Sequence, residues 1–140
     1  MRILAVDYGD AHTGVSISDP TGFLASQSFT IHLHNRQMVA ERVIETAKEN
    51  ECGEIVVGHP LNMNGTLGER ALKCEEFAHL LEEIGDIKVI LWDERLTSVD
   101  ANRILSDAGK KRKKQKMLVD AVAASLILEG YLEFRRKNQG

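Results

Sequence analysis

Two hydrophobic periods divide the chain. Ile3 to Val6 is a short apolar run with β-branched residues, closed by Asp7-Tyr8-Gly9-Asp10, and predicts a buried strand running into a turn. Thr13 to Ser18 places Val15 and Ile17 on one face of a second strand. Asp19-Pro20-Thr21-Gly22 is a turn signal, and Phe23 to Leu33 predicts a third strand. Strands joined this tightly form an antiparallel meander. From Asn35 to Asn50 the period lengthens, with Met38, Val39, Arg42, Val43, Thr46 and Ala47 in helical register and Asn35 as N-cap. Ile55 to Gly58 predicts a buried strand stopped by His59-Pro60. Gly68 to Glu83 predicts a helix packed through Leu72, Phe77, Leu80 and Leu81. Val89 to Trp92 predicts the fifth strand, with Trp92 in the core. A helix over Ser98–Ala108 follows, with Thr97 as N-cap and Asp100 three residues on, and a last helix runs from about Gln115 to Phe134.

The order β-β-β-α-β-α-β-α, its final helical part in two pieces, predicts an α/β fold. Three hairpin-connected strands followed by two right-handed crossovers build a five-stranded mixed sheet flanked by helices. With 140 residues and neither repeat nor linker, the expectation is a single domain spanning 1–140. The composition, 43% apolar and 28% charged, is that of an ordinary globular chain. No apolar stretch is long enough for a membrane span, and the N-terminal run is too short for a signal-peptide core. Cys52 and Cys74 form neither a disulfide framework nor a zinc-site spacing, so a cytoplasmic protein without membrane partners is expected.

Charge is unevenly distributed. The net charge is −3, yet Lys110 to Lys116 (KKRKKQK) holds six of the eighteen basic residues. Without that run, twelve basic residues face twenty-one acidic ones. A dense cationic patch on an acidic body attracts polyanions locally; alternatively it is a solvated loop. No aromatic residue is interleaved, which argues against base stacking there. Arg135, Arg136 and Lys137 form a second, smaller cluster.

Three carboxylates stand where an ordinary core would not place them. Asp7 ends the first strand, and ligands of open α/β sheets collect beyond the carboxyl ends of strands; an Asx-turn is its plainer role. Asp93 and Glu94 end the fifth strand, and side-chain alternation lets at most one of them face a shared site. Arg95 is a candidate ion-pair partner for either. Asp120 lies in MLVDAVAASLIL, twelve positions with one charge, in a row with Ala124, Ile127 and Tyr131. Burying an isolated carboxylate costs on the order of several kcal/mol unless a cation or a proton compensates it. Converging hard oxygen ligands of this kind suit Mg2+ or Mn2+, and beside a cationic patch they point to metal-assisted phosphodiester hydrolysis.

Other candidates are less specific. Gly58 to Gly68 holds three glycines, Pro60 and two asparagines before a helix start, a loop able to approach a phosphate or simply to turn tightly. Thr97 and Ser98 carry hydroxyls usable as caps or, with Arg95, as phosphate contacts. His32 and His34 alternate onto one strand face as a possible metal pair, and His59 lies beside the expected site.

The motifs together resemble one family. Asp7-Tyr8-Gly9 with Gly14-Val15, then Val57-Gly58-His59-Pro60-Leu61-Asn62-Met63-Asn64-Gly65, then Asp93-Glu94-Arg95-Leu96-Thr97-Ser98, and finally the basic run leading to Asp120, Ala123-Ala124 and Ile127–Leu132 resemble, in order, the four motifs of the YqgF/RuvX family. These are pre-16S rRNA nucleases once classed as Holliday-junction resolvases. The resemblance implies an RNase H-like fold and a divalent-metal site in which Asp7, Glu94 and Asp120 are both the catalytic residues and the metal ligands. It is on this basis that Glu94 is preferred to Asp93. The substrate-binding candidates are Gly9, His12, Asn62, Arg95, Thr97, Ser98, Lys110, Lys111, Arg112, Lys113 and Lys114. One departure stands out: Ala11 and His12 occupy positions where the family usually carries basic residues, which weakens the expected grip of the first loop on phosphate.

Three functions follow as expectations: a metal-dependent endonuclease of structured RNA in 5′-end processing of pre-16S rRNA, a resolvase of branched DNA, or an inactive RNA-binding assembly factor. A symmetric junction needs two cuts, so a resolvase is expected to be a homodimer, whereas the RNA enzyme can be a monomer. A kinase- or actin-type ATPase would need a second domain that 140 residues do not supply. Replacing the basic residues of Lys110 to Lys116 by Gln is expected to weaken nucleic-acid binding and flatten the plot of log affinity against log salt. An unchanged slope would return the run to solvated surface.

Overall fold

The computed structural model describes residues 1–96 and 112–138, with side chains in the last helix described from Asp120 onward. The elements are β1 (Arg2–Asp7), β2 (Thr13–Ser18), β3 (Ala25–Ile31), α1 (Arg36–Glu49), β4 (Cys52–His59), α2 (Glu69–Ile84), β5 (Lys88–Asp93), a 3-10 turn (Glu94–Leu96) and α3 (Arg112–Asn138). The sheet order is β3-β2-β1-β4-β5. The β1–β2 and β2–β3 pairs are antiparallel and β1–β4 and β4–β5 are parallel, so the predicted five-stranded mixed sheet is present. The predicted helix over Ser98–Ala108 falls outside the described residues.

Alternation along the strands divides the core. Leu4, Val6, Val15, Ile17, Ile55 and Val57 face α1 and α2, packing with Val39, Val43, Phe77 and Leu81. Ile3, Ala5, Val56 and Trp92 face α3, packing with Ile127, Leu128 and Leu132. Every second position therefore serves a different helix layer, which is why the central segments Ile3–Val6 of β1 and Ile55–Val57 of β4 are apolar throughout. On β2 the α3-facing positions are Gly14, Ser16 and Ser18, and the two serines are fully buried. Small residues there let the helix approach the sheet closely. A methyl group on Gly14 would overlap the carbonyl oxygen of Asp120 in α3.

Element ends differ from expectation for identifiable reasons. The third strand begins at Ala25 rather than Phe23, because the Asp19 carboxylate accepts hydrogen bonds from the amides of Thr21, Phe23 and Leu24 and holds them in a turn. It ends at Ile31, which removes His32 and His34 from the strand and undoes their pairing by alternation. Asn35 caps α1 as expected, accepting from the Met38 amide at 3.0 Å. On α2, Leu72 is exposed rather than packed; the inward stripe is Ala71, Cys74, Phe77, Ala78 and Leu81, and Leu72 lies about 100° from Ala71. The last helix, described from Arg112, already includes Arg112, Lys113 and Lys114, which the sequence pattern placed ahead of it.

The far end of α3 is anchored by a carboxylate the sequence reading passed over. Glu54 on β4 is buried, accepts a 2.8 Å hydrogen bond from the Tyr131 hydroxyl, and lies 3.5 Å from Lys88 and 3.9 Å from Arg135. Burial and this bond push the Tyr131 hydroxyl up to about 12. Arg136 extends the anchorage, donating to the Phe23 carbonyl at 2.8 Å and covering its ring at 4.5 Å.

Gly14→Ala is expected to destabilise the chain by about 2 kcal/mol or more, because the clash is with backbone that cannot rotate away. Denaturant titration against wild type measures this; a loss below 0.5 kcal/mol, roughly the scatter of ordinary surface changes, would mean that the contact is not tight.

Candidate active site

Asp7 is the last residue of β1 and points to the α3 side of the sheet. Its lateral neighbours on both sides are glycines. Gly14 is its direct partner on β2, and Gly58 on β4 follows the Val6–Val57 pair by one residue. Each glycine makes room for a second acid. The Asp120 backbone rests on Gly14, and a methyl group on Gly58 would lie 3.0 Å from Glu94 Oε2 and 2.6 Å from Ile127 Cδ1. Three carboxylates thus gather around the ends of β1, β2 and β4.

Their environments differ. Asp7 has only 11% of its side chain exposed and forms a 3.0 Å ion pair with Arg70 from the first turn of α2. Burial pushes its carboxyl above the usual range; Arg70 opposes this and Asp120 adds to it. Glu94, in the 3-10 turn, is pushed up to about 7 by burial first and then by the charge of Asp7. Its Oε2 is buried with no hydrogen-bond partner. Asp120 is half-buried, at the rim rather than in the core, while Ala124, Ile127 and Tyr131 of its row are buried as predicted. Among the described residues, Asp120 has no ion-pair partner.

Asp93 is different. It holds the Arg95 guanidinium through bonds of 3.0 and 3.2 Å to Nε and 2.8 Å to a terminal nitrogen, which keeps its carboxyl below the usual range. Arg95 also donates to the Met63 carbonyl at 3.4 Å, tying the β5 end to the Gly58–Gly68 loop. Its fork is therefore engaged within the protein. Asn62 shapes the same loop: its side-chain amide donates to Thr66 Oγ1 at 2.9 Å, and its carbonyl accepts from Gly65, whose φ of +84° favours glycine.

Gly9 lies so close to the His12 carbonyl that a side chain there would collide with it. The His12 Nδ1 is 2.9 Å from His32 Nδ1 at an exposed position, so His32 pairs across the hairpin with His12 and not with His34. His59 faces the α2 side, 3.8 Å from Glu75. Thr97, Ser98, Lys110 and Lys111 lie outside the described residues; Arg112, Lys113 and Lys114 are placed on α3 by backbone alone. Arg70 was not anticipated. Its signal was available: a cation two residues after Gly68, where a loop leaving the carboxyl end of β4 enters a helix.

The match to known proteins covers the whole fold. A family profile described as "RuvX: Holliday junction resolvase" matches residues 1–134. The chain belongs to the RuvX family. Curated relatives named "Putative pre-16S rRNA nuclease" include one from Acetivibrio thermocellus, 45% identical over 139 residues with 98% of this chain and 99% of the relative covered. Another, from Halothermothrix orenii, is 43% identical over 140 residues with both chains covered completely. Among solved structures, Thermus thermophilus RuvC in complex with a Holliday junction substrate superposes with a TM-score of 0.61 at 14% identity, covering 96% of each chain. The fowlpox virus Holliday junction resolvase superposes with a TM-score of 0.59 at 16% identity, covering 96% of this chain and 99% of that one. The fold is that of the RNase H-like resolvases, and the RuvX family and its curated relatives mark the chain as a nuclease, a hydrolase of the phosphodiester bond.

In this RuvX chain the acidic set suits a hard divalent cation in kind. It consists of oxygen donors only, the charge of Asp120 raises the proton affinity of Asp7 and that of Asp7 raises Glu94's, and one buried oxygen has no partner. As they stand, no three His, Cys, Asp or Glu side chains among the described residues form a closed set of ligands, and one Asp7 oxygen is held by Arg70.

The raised Glu94 carboxyl makes the metal-free chain sensitive to pH. Between the ordinary value of 4.5 and about 7, the folded chain keeps a proton that the unfolded chain has released. Stability is therefore highest at the acidic end of this window and falls as pH rises through it, by about 1–2 kcal/mol after allowing for solvent screening. Denaturant midpoints measured in chelator from pH 4.5 to 8 should show this slope in wild type and a shallower one in Glu94→Gln. Parallel curves would remove Glu94 as its source.

Proposed function

We propose that the chain, a single domain spanning residues 1–140, is a metal-dependent endonuclease of structured RNA that acts in 5′-end processing of pre-16S rRNA in the cytoplasm. The observation that carries this reading is the placement of Asp7 between two glycines, each of which admits another carboxylate to the same strand ends. The names of relatives more than 40% identical over nearly the whole chain support the choice of RNA. The description of the family favours a second reading, resolution of branched DNA.

Asp7, Glu94 and Asp120 would hold Mg2+ or Mn2+. Such a cation supplies charge stabilisation at the phosphoryl oxygens and a nucleophile at neutral pH. The protein's part is to hold three acids together against their mutual repulsion. The sheet does this for Asp7, the Asp93–Arg95 clamp fixes the turn that carries Glu94, and the Gly14 contact fixes the backbone of Asp120. The basic residues at the start of α3 and before it are the source of affinity for the phosphate backbone.

Asp120→Asn keeps the volume of the side chain and removes its charge. It is expected to reduce Mn2+- or Mg2+-dependent cleavage of precursor 16S rRNA at least 100-fold while leaving the melting temperature within a few degrees of wild type. A four-way DNA junction assayed in parallel separates the two readings: wild-type cleavage of the junction alone assigns branched DNA, and cleavage of neither substrate under either cation overturns the nuclease reading.

A further inference from the structure

The carboxylate rim contains one cation whose placement has consequences for substrate. Arg70 reaches Asp7 through a single 3.0 Å bond from a terminal nitrogen to Oδ1. Its side chain is 60% exposed and that of Asp7 only 11%, so the guanidinium stands at the mouth of the site and the carboxylate at its floor. A guanidinium has five N–H donors in a planar fork that matches a phosphate edge. Among the described residues no other hydrogen bond engages this one. With Tyr8, Gly9, Asp10, Glu69 and Lys73, it lines a cavity of about 340 Å3, and its bond to Asp7 joins that cavity to the carboxylates. The neighbouring cations are more fully occupied: Arg95 spends three bonds on Asp93, and Lys73 lies 3.3 Å from Asp10 and 3.7 Å from Glu69.

A divalent cation that took Asp7 Oδ1 would compete with the Arg70 guanidinium for that oxygen, and repulsion between the two positive charges would weaken the ion pair. A guanidinium released from Asp7 remains tethered to the first turn of α2, within reach of the same cavity. We propose that Arg70 is a phosphate-binding residue of the nuclease reaction, docked on Asp7 until a divalent cation takes that oxygen and thereafter paired with a backbone phosphate beside the scissile bond. This rests on the nuclease reading above and adds a residue to it. Arg70 would thereby make cation binding and substrate binding depend on each other: released from Asp7 it can pair with phosphate, and paired with phosphate it leaves the Asp7 oxygen open to a cation.

Two binding measurements on the full-length chain test this without cleavage. In the first, Mn2+ alone is titrated and free Mn2+ followed by electron paramagnetic resonance. Arg70→Gln should bind Mn2+ at least threefold more tightly than wild type, because the competing cation is gone, while Lys73→Gln, which loses the same charge one turn away, stays within twofold. In the second, a labelled 5′ fragment of precursor 16S rRNA is titrated in Ca2+ across a salt series. Arg70→Gln should lose at least fivefold in affinity and about one from the salt slope, and Arg70→Lys, which restores charge without the fork, should fall between. Unchanged or weaker Mn2+ binding by Arg70→Gln, or RNA affinity equal to wild type, overturns the proposal. Should Arg70→Gln misfold by circular dichroism, the same comparisons are read on Arg70→Lys: tighter Mn2+ binding is not expected of it, and RNA affinity equal to wild type overturns the proposal. Failure of the wild-type chain to cleave, with both binding results as expected, sinks the nuclease reading and leaves Arg70 as a phosphate ligand.

Discussion

The closeness of α3 to the sheet at Gly14 sets the terms for the rest of the molecule. A helix crossing a sheet normally stands off by the length of two side chains, about 10 Å between axes. Here one of the two is missing. The Asp120 backbone descends to where a methyl group would be, and its carboxylate is near enough to Asp7 for its charge to raise that acid's proton affinity. Ser16 and Ser18 continue the low ridge along β2, both fully buried. The burial of small side chains is a weak source of hydrophobic energy, and the apolar half of α3, through Ile127, Leu128 and Leu132, supplies what the upper half does not.

That geometry creates an electrostatic problem that the surrounding ion pairs contain. Burial and the charge of Asp120 raise the proton affinity of Asp7, and burial and the charge of Asp7 push Glu94 up to about 7. Two arginines stand by with opposite assignments. Arg95 is bound to Asp93 along most of its fork and acts as part of the framework. Arg70 makes one bond from an exposed position and offsets part of the charge without being committed to it. The same residue type therefore serves as brace in one place and as a movable counter-charge in the other, and bond count together with exposure distinguishes them.

Much of this was legible in the sequence, and the parts that were not share a cause. The element order and the mixed sheet followed from period and turn signals, and two carboxylates were visible because their neighbours are apolar: Asp7 after Ile3–Val6, Asp120 within the twelve residues 117–128 that hold no other charge. The same reasoning placed Asn35 at the α1 N-cap, where its side chain accepts from Met38. It misjudged Phe23, because the Asp19 turn takes up backbone donors that a strand would have used. It misjudged Leu72, because a helix whose inward stripe is built from Ala71, Cys74 and Ala78 has a narrower apolar face than Leu counts suggest. Arg70 and Glu54 were missed because each finds its partner far along the chain, Asp7 in one case and Tyr131 in the other. A charged residue in a stretch that already has several carries no local mark of the one whose partner is buried.

The anchorage of α3 at both ends makes its spacing a matter of phase. Asp120 and Tyr131 are eleven positions apart, about three full turns, so the acid at the rim and the hydroxyl that meets Glu54 lie along one side of the helix. Inserting or deleting a single residue between them would rotate one anchor about 100° out of line with the other. The helix could then satisfy Glu54 or present its carboxylate beside Asp7, but not both. Substitutions along this segment leave the count intact, so its length is under a stricter constraint than its composition.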